Sequence, residues 1–448
     1  MPNPSSYKRS RPLFFHGWLI VLVAFFGTFI SAGIGGYGLG VFLKPMTTSL
    51  GWSRTTLAWF SPVRSVVMGI TGPLLGPFVE HQNGPRLLFI IGGITAGIGC
   101  FAVWGVKEAW HFYIAFGVVW GFGQSLLGGQ ILSGPIVSKW FVKYRGRATS
   151  IYAMGVSGGG VVFIPLNTFL IDKYGWEYSW LILGFITLLS IIPLSFLYMR
   201  RQPEDMNLLP DGESKVFAKE ISSALSADPI LLFEYDSENN PISAADIEVS
   251  WTVKEASKTS SLWLLILSFN LMTMSIGATL LNQVPYLTDK NLGIGIATLA
   301  ATSFGFVAMA SKIPWGILAD RFDIRYVTAL CFLSAGLGLF LLVIADSIVV
   351  IFLYVLFYGI GAGGPPVLQN VMWSNYYGRK FQGAIRGTFA PLNIIGMGFA
   401  PVFATWIYDS TGNYDIAFFV FAIGCLLGGV CIIFAKPPVH NSLKNSIS

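Results

Sequence analysis

Two basic residues, Arg64 and Lys312, stand well within long apolar stretches, and no aspartate or glutamate stands there with them. A charge at the centre of an apolar layer costs at least ~2.5 kcal/mol on insertion scales, so it faces a watery path or a partner. With no fixed carboxylate to compensate them, the simplest partner for these cations is a bound anion. Each has a second reading. Lys312 lies about two helical turns before Asp320, close enough for its stem to snorkel to an interface. Arg64 sits about 15 Å along its helix from the nearer end, where a guanidinium also serves by bonding backbone carbonyls of neighbouring helices.

Uncharged polar groups in similar stretches could complete a pocket: Gln124, Asn270, Asn282, Gln283, Gln369, Asn370 and Asn393. Such side chains commonly join helices, so each also has a purely structural reading. Asn393 ranks first because it follows Pro391, which frees backbone carbonyls to line a cavity. Gly155, Gly158, Gly159 and Gly160 with Pro165 imitate a phosphate loop, but their apolar setting points to close helix packing. The cysteines, Cys100, Cys331, Cys425 and Cys431, have no CxxC spacing and no histidine nearby, so neither a disulfide framework nor a metal site is expected. No catalytic constellation is present, and neither enzyme activity nor a cofactor is expected.

The elements that position these residues follow from composition. Of 448 residues, 54% are hydrophobic and 11% charged, against about 25% charged in soluble domains. One aqueous core cannot hide 36 phenylalanines and 14 tryptophans. A bilayer core of about 30 Å needs roughly 20 apolar helical residues, and twelve stretches qualify: 17–42, 55–79, 86–106, 110–137, 148–171, 178–199, 262–287, 296–318, 326–345, 348–373, 383–408 and 416–435. The expected fold is an all-α membrane protein of two pseudo-symmetric six-helix bundles, 1–199 and 262–448, joined by a linker at 200–261. That linker holds 12 of the 22 acidic residues and four prolines, with a short surface helix expected over 247–258.

An even number of spans puts both termini on one side. That side carries 21 of the 28 lysines and arginines, and the opposite loops carry five: Lys44, Arg54, Lys107, Lys173 and Lys290. The asymmetry places both termini and the linker in the cytoplasm of a multi-pass plasma-membrane protein, the inner membrane in a bacterium. The basic residues gather at span ends rather than on one face, which argues against nucleic acid as a partner. The first 16 residues lack a cleavage site, so the first span is expected to stay as an anchor. The halves also repeat at an offset near 240: Gly76 to Glu80 after span 2 answers Gly316 to Arg321 after span 8. Likewise Phe163, Pro165, Asp172 and Gly175 answer Phe399, Pro401, Asp409 and Gly412. Duplicated six-span units are the mark of transporters that rock about a midplane site.

The Gly-x-x-x-Asp-Arg pattern at Gly316 to Arg325, with its Glu80-His81 variant after span 2, resembles the signature of the major facilitator superfamily. The run Trp140-Phe141-x-Lys143-Tyr144-Arg145-Gly146-Arg147-Ala148 leading to Gly155, with His16-Gly17-Trp18, is similar to the monocarboxylate transporters. The stretches 201–205, 210–212 and 251–256 resemble bacterial relatives of that family and of oxalate/formate antiporters. The resemblance implies a carboxylate substrate, with Lys312 where those families carry a binding arginine and Tyr37 where the span 1 lysine is usual. The acid expected one turn before the span 8 cation is here Ala308, so proton relay through a buried carboxylate is not expected.

Charged residues at the basic-rich ends can pair or cap helices and hold one face shut. Glu80, Arg86, Arg145, Asp320, Arg321 and Arg325 are the gating candidates; Lys312, Arg64, Tyr37, Asn393, Gln124, Asn270, Asn282 and Gln369 are the substrate candidates. The expected activity is transport of small organic anions, monocarboxylates first, by alternating access, with a monomer sufficient. A dicarboxylate exchanger and a non-transporting nutrient sensor on the same fold are the alternatives.

Overall fold

Long stretches with neither side-chain charge nor interior polar backbone partners must satisfy every N–H and C=O within themselves, which makes them helices. The structure is a computed structural model describing residues 15–128, 132–141, 144–206, 208, 210–212, 251–377 and 382–438. The side chains of Glu80, Arg145 and Asp320 lie outside the described set, as does most of the linker. Among the described residues the chain forms twelve helical rods and no strand.

Span 1 comprises Gly17–Ala32, a π-turn at Gly33–Tyr37, and Leu39–Leu50; span 2 comprises Arg54–Ala58 and Phe60–Leu75. Span 3 is Gly84–Trp104, and span 4 runs from Ala109–Phe112 through a π-helical stretch Tyr113–Trp120 to Ser133–Trp140. Spans 5 and 6 share Arg145–Tyr198, bent at Gly175, whose φ of 79° suits a residue without Cβ. Span 7 is Ser260–Asp289. Span 8 is Ile294–Ala310 followed by Lys312–Arg321, and span 9 is Ile324–Val343. Span 10 is Ile348–Gly363 with Pro365–Tyr377, span 11 is Gln382–Thr411, and span 12 is Asp415–Phe434. Among the described residues, eight helical stretches are long and apolar enough to cross a membrane. One of the eight holds both spans 5 and 6; the other three spans are 2 and 4, assembled from shorter pieces, and 11, the helix Gln382–Thr411. Of the linker helix expected over 247–258, the described part is one turn, Val253–Ala256, closed by a Thr252/Glu255 capping box.

Buried apolar residues form two cores, one within spans 1–6 and one within spans 7–12. A few residues cross over and mark the seam. Tyr37, Val41 and Ile164 pack into the second core, while Leu281 and Val402 pack into the first. Spans 1 and 5 approach closely because their contact is lined with glycine: a Cβ on Gly159 would collide with the Phe29 carbonyl oxygen. The glycine-rich stretch is therefore a packing device. Large apolar side chains such as Leu189 (72% exposed) and Phe434 face outward, as a lipid-facing surface requires.

Candidate functional site

Two helix irregularities meet at the seam. Pro314 has no N–H, so the bond that would close on the Ala310 carbonyl is lost, and span 8 breaks at Ser311. Lys312 is the first residue of the second piece. Across from it, the sequence Gly33-Ile34-Gly35-Gly36-Tyr37 widens span 1 into a π-turn, a form found at functional positions more often than chance.

The Lys312 ammonium leaves its own half and reaches span 5 of the other. Nζ donates to Ser157 Oγ at 3.1 Å and lies 3.4 Å from the Ala153 carbonyl oxygen. Both partners are neutral. Ser157 is 2% exposed, and the Tyr37 side chain lies beside it. Tyr37 in turn packs near Phe304 of span 8, ring centroids 6.1 Å apart, and Phe304 stacks on Tyr358 of span 10. A lysine that merely snorkelled would point its head to an interface. This one is aimed across the seam.

Arg64 behaves otherwise. Its Nη1 donates to the Gly35 carbonyl in the π-turn of its own half, and its guanidinium lies 5.1 Å from the Phe60 ring centroid. Gln124 sits on the other side of the same turn, Nε2 donating to the Ser31 carbonyl at 3.1 Å, while its Oε1 has no partner among the described residues. The Gly35 carbonyl of the turn thus holds Arg64, Gln124 packs against Gly35, and Tyr37 ends the turn beside Ser157, the partner of Lys312.

The remaining amides lie in the second half. Asn270 Nδ2 donates to the Leu392 carbonyl at 2.9 Å. Asn393 is the next residue of span 11, and neither Asn270 Oδ1 nor Asn393 Oδ1 has a partner among the described residues. Asn282 turns its Nδ2 onto Ala278 of its own helix, and Gln283 Oε1 accepts from Tyr354. Gln369 is half-buried; Asn370 is exposed and donates to Pro366. Of the described gating candidates, Arg86 lies 4.1 Å from the Phe196 ring centroid, Arg321 is exposed, and Arg325 pairs with Asp323 at 2.7 Å. Ser157 was not among the residues singled out by type and spacing. Its only signal in the sequence is that it is the one hydroxyl within Gly155 to Gly160. No group of three or more potential metal ligands occurs among the described residues.

Comparison with known proteins agrees with this architecture. Rat monocarboxylate transporter 2 is 24% identical over 430 residues, covering 94% of this chain and 83% of its own length. Human monocarboxylate transporter 7 is 22% identical over 457 residues, covering 94% and 86%. The riboflavin transporter MCH5 of Saccharomyces cerevisiae is 31% identical over 171 residues, 36% of this chain and 32% of its own. The pattern of the Major Facilitator Superfamily matches residues 17–297 and again 263–448, and with both halves covered the chain belongs to that superfamily.

Proposed function

We propose that the protein is a secondary transporter of small organic anions, monocarboxylates first, that binds the substrate carboxylate at Lys312 and exposes it alternately to the two faces. The observation that carries the reading is the position of Lys312: an ammonium aimed across the seam whose described partners are all neutral. A cation so placed attracts an anion and, being compact, holds a carboxylate by charge rather than by a bidentate fork. Ser157 occupies the ammonium when no anion is bound, and substrate displaces it. Tyr37 and Phe304 give the site an apolar wall suited to a short organic chain. The names of the full-length relatives agree with this class, and the riboflavin transporter shows that partial likeness extends to other cargo.

The Lys/Arg distribution supports termini in the cytoplasm, and Ala308 in place of an acid supports transport without a titrating intramembrane carboxylate. The test is uptake into proteoliposomes from a panel of labelled mono- and dicarboxylates, with and without an inward proton gradient. Saturable uptake of a monocarboxylate, competed by other monocarboxylates, is expected. Uptake of neutral or cationic solutes alone would overturn the proposal.

A further inference from the structure

On the face opposite the one where span 1 begins and span 12 ends, four charges from the two halves meet. Lys44 and Arg54 belong to the first half, near the end of span 1 and at the start of span 2. Asp289 and Asp409 belong to the second, at and near the ends of spans 7 and 11. Arg54 Nη1 and Nη2 donate to Asp289 at 2.5 and 3.1 Å, and Lys44 Nζ reaches the same carboxylate at 2.7 Å. Asp409 accepts from the backbone N–H groups of Arg54 and Thr55 at 3.3 and 2.9 Å, capping a helix of the other half. The guanidinium also lies 3.7 Å from the Tyr408 ring centroid and donates to Tyr414 Oη at 3.0 Å. Arg54 is 8% exposed.

Each of these contacts joins one half to the other. A bidentate arginine–carboxylate pair is among the stronger polar contacts, and the tyrosine ring over it keeps water from competing. All the cations come from one half and all the carboxylates from the other. Parting the halves on this face breaks every contact at once and returns four charges to water, where each is stable alone. The same residue types at a merely solvated surface would not be shielded in this way.

We propose that Arg54, Lys44, Asp289 and Asp409 form the latch that closes the transport path on this face, with Asp289 as its centre. The latch is independent of the substrate class, so it stands or falls apart from the anion reading. Asp289→Asn removes the shared acceptor charge while keeping shape, and the path is expected to open. The reporter is Thr298→Cys, a buried position of span 8 whose hydroxyl meets Thr168 across the seam at 3.2 Å. Purified full-length protein in detergent is exposed to a polar maleimide, and labelled peptides are quantified.

The thiol introduced by Thr298→Cys is expected to react at least about tenfold faster with Asp289→Asn than without it, since removing one partner of a buried pair strands the other charge. The buried native cysteines Cys100, Cys331 and Cys425 report unfolding and are expected to stay unreactive. Lys44→Gln, at a half-exposed end of the cluster, is expected to give a smaller rise in the same direction. If Asp289→Asn exposes the native cysteines, Lys44→Gln decides the matter alone. Unchanged reactivity of the introduced thiol in a folded Asp289→Asn protein, or in Lys44→Gln where that variant decides, overturns the latch.

Discussion

Lys312 and Arg64 pose the same problem of a cation in an apolar span, and the fold answers it in two ways. Arg64 is satisfied inside its own half, by a carbonyl of the π-turn in span 1. Among the described residues, Lys312 finds partners only by reaching into the other half, and both are neutral oxygens. A cation bonded within one rigid bundle moves with that bundle and braces it. One bonded across the seam has a partner that any rocking motion must displace. Depth in the membrane therefore does not separate the proposed binding cation from the bracing one. The half that holds its partner does.

The largest effect is expected at Lys312. Lys312→Ala removes the charge that attracts the anion, and uptake is expected to fall roughly hundredfold or more, in the range for losing one member of a desolvated charge pair. Lys312→Arg is expected to retain substantial uptake, because the requirement is charge at that place. Both proteins are expected in the membrane at normal levels. Wild-type uptake by Lys312→Gln would erase the contrast with Arg64 and with it the proposed role.

Arg64→Ala comes next and is expected to act on stability. Losing a charged donor to a buried carbonyl costs about 1–2 kcal/mol, read as a lower melting temperature in detergent, with reduced maximal uptake and a KM close to the parent's. A rise in KM for dicarboxylates alone would instead make Arg64 a second anchor. That outcome would favour the dicarboxylate exchanger and would require the guanidinium to leave Gly35 when substrate binds.

The fold was legible because membrane helices obey one strong rule of length and apolarity. Short connections within each half and the duplicated motifs then left little freedom in how the rods assemble. Lys312 and Arg64 were legible for the same reason, since a charge is conspicuous in an apolar run. Ser157 was not, because a serine within a run of glycines looks like packing, and only the long reach of Lys312 gives it a role. Lys44, Arg54, Asp289 and Asp409 fall in loops or at span ends, where a charge is ordinary. The convergence of these helix ends from both halves on one point is a three-dimensional fact that no local pattern encodes.

Ser157→Ala sharpens the comparison at smaller scale. If Ser157 holds the ammonium only until substrate arrives, its loss removes a competitor, and KM is expected to fall about two- to fivefold, the worth of one modest hydrogen bond. If Ser157 contacts substrate as well, KM rises by a similar factor. Arg64 has no counterpart to this test, since its partner is a backbone carbonyl that substitution does not remove.

The smallest effect is expected where a charge pair closes within one loop. Asp323 caps span 9 by accepting from the Arg325 N–H at 2.9 Å, and its carboxylate pairs with the Arg325 guanidinium at 2.7 Å. The hydrogen bond from Arg325 holds the Asp323 carboxyl below the usual carboxylate range. A depressed folded-state value means that the stabilisation is fully present above the unfolded value, about 4. It is lost only as pH falls through the lower folded value. Between pH 5 and 8 the pair is therefore constant. Its side chains are partly in water, 19% and 40% exposed, and such pairs contribute at most about 1 kcal/mol. Asp323→Asn is expected to leave uptake within about twofold of the parent, with the same ratio at pH 5.5 and 7.5. The amide still caps span 9, and no contact across the seam is touched. A large or pH-dependent loss of uptake would show that this loop engages the other half during the cycle, and the distinction between charges that brace one half and charges that join two would have to be redrawn to include it.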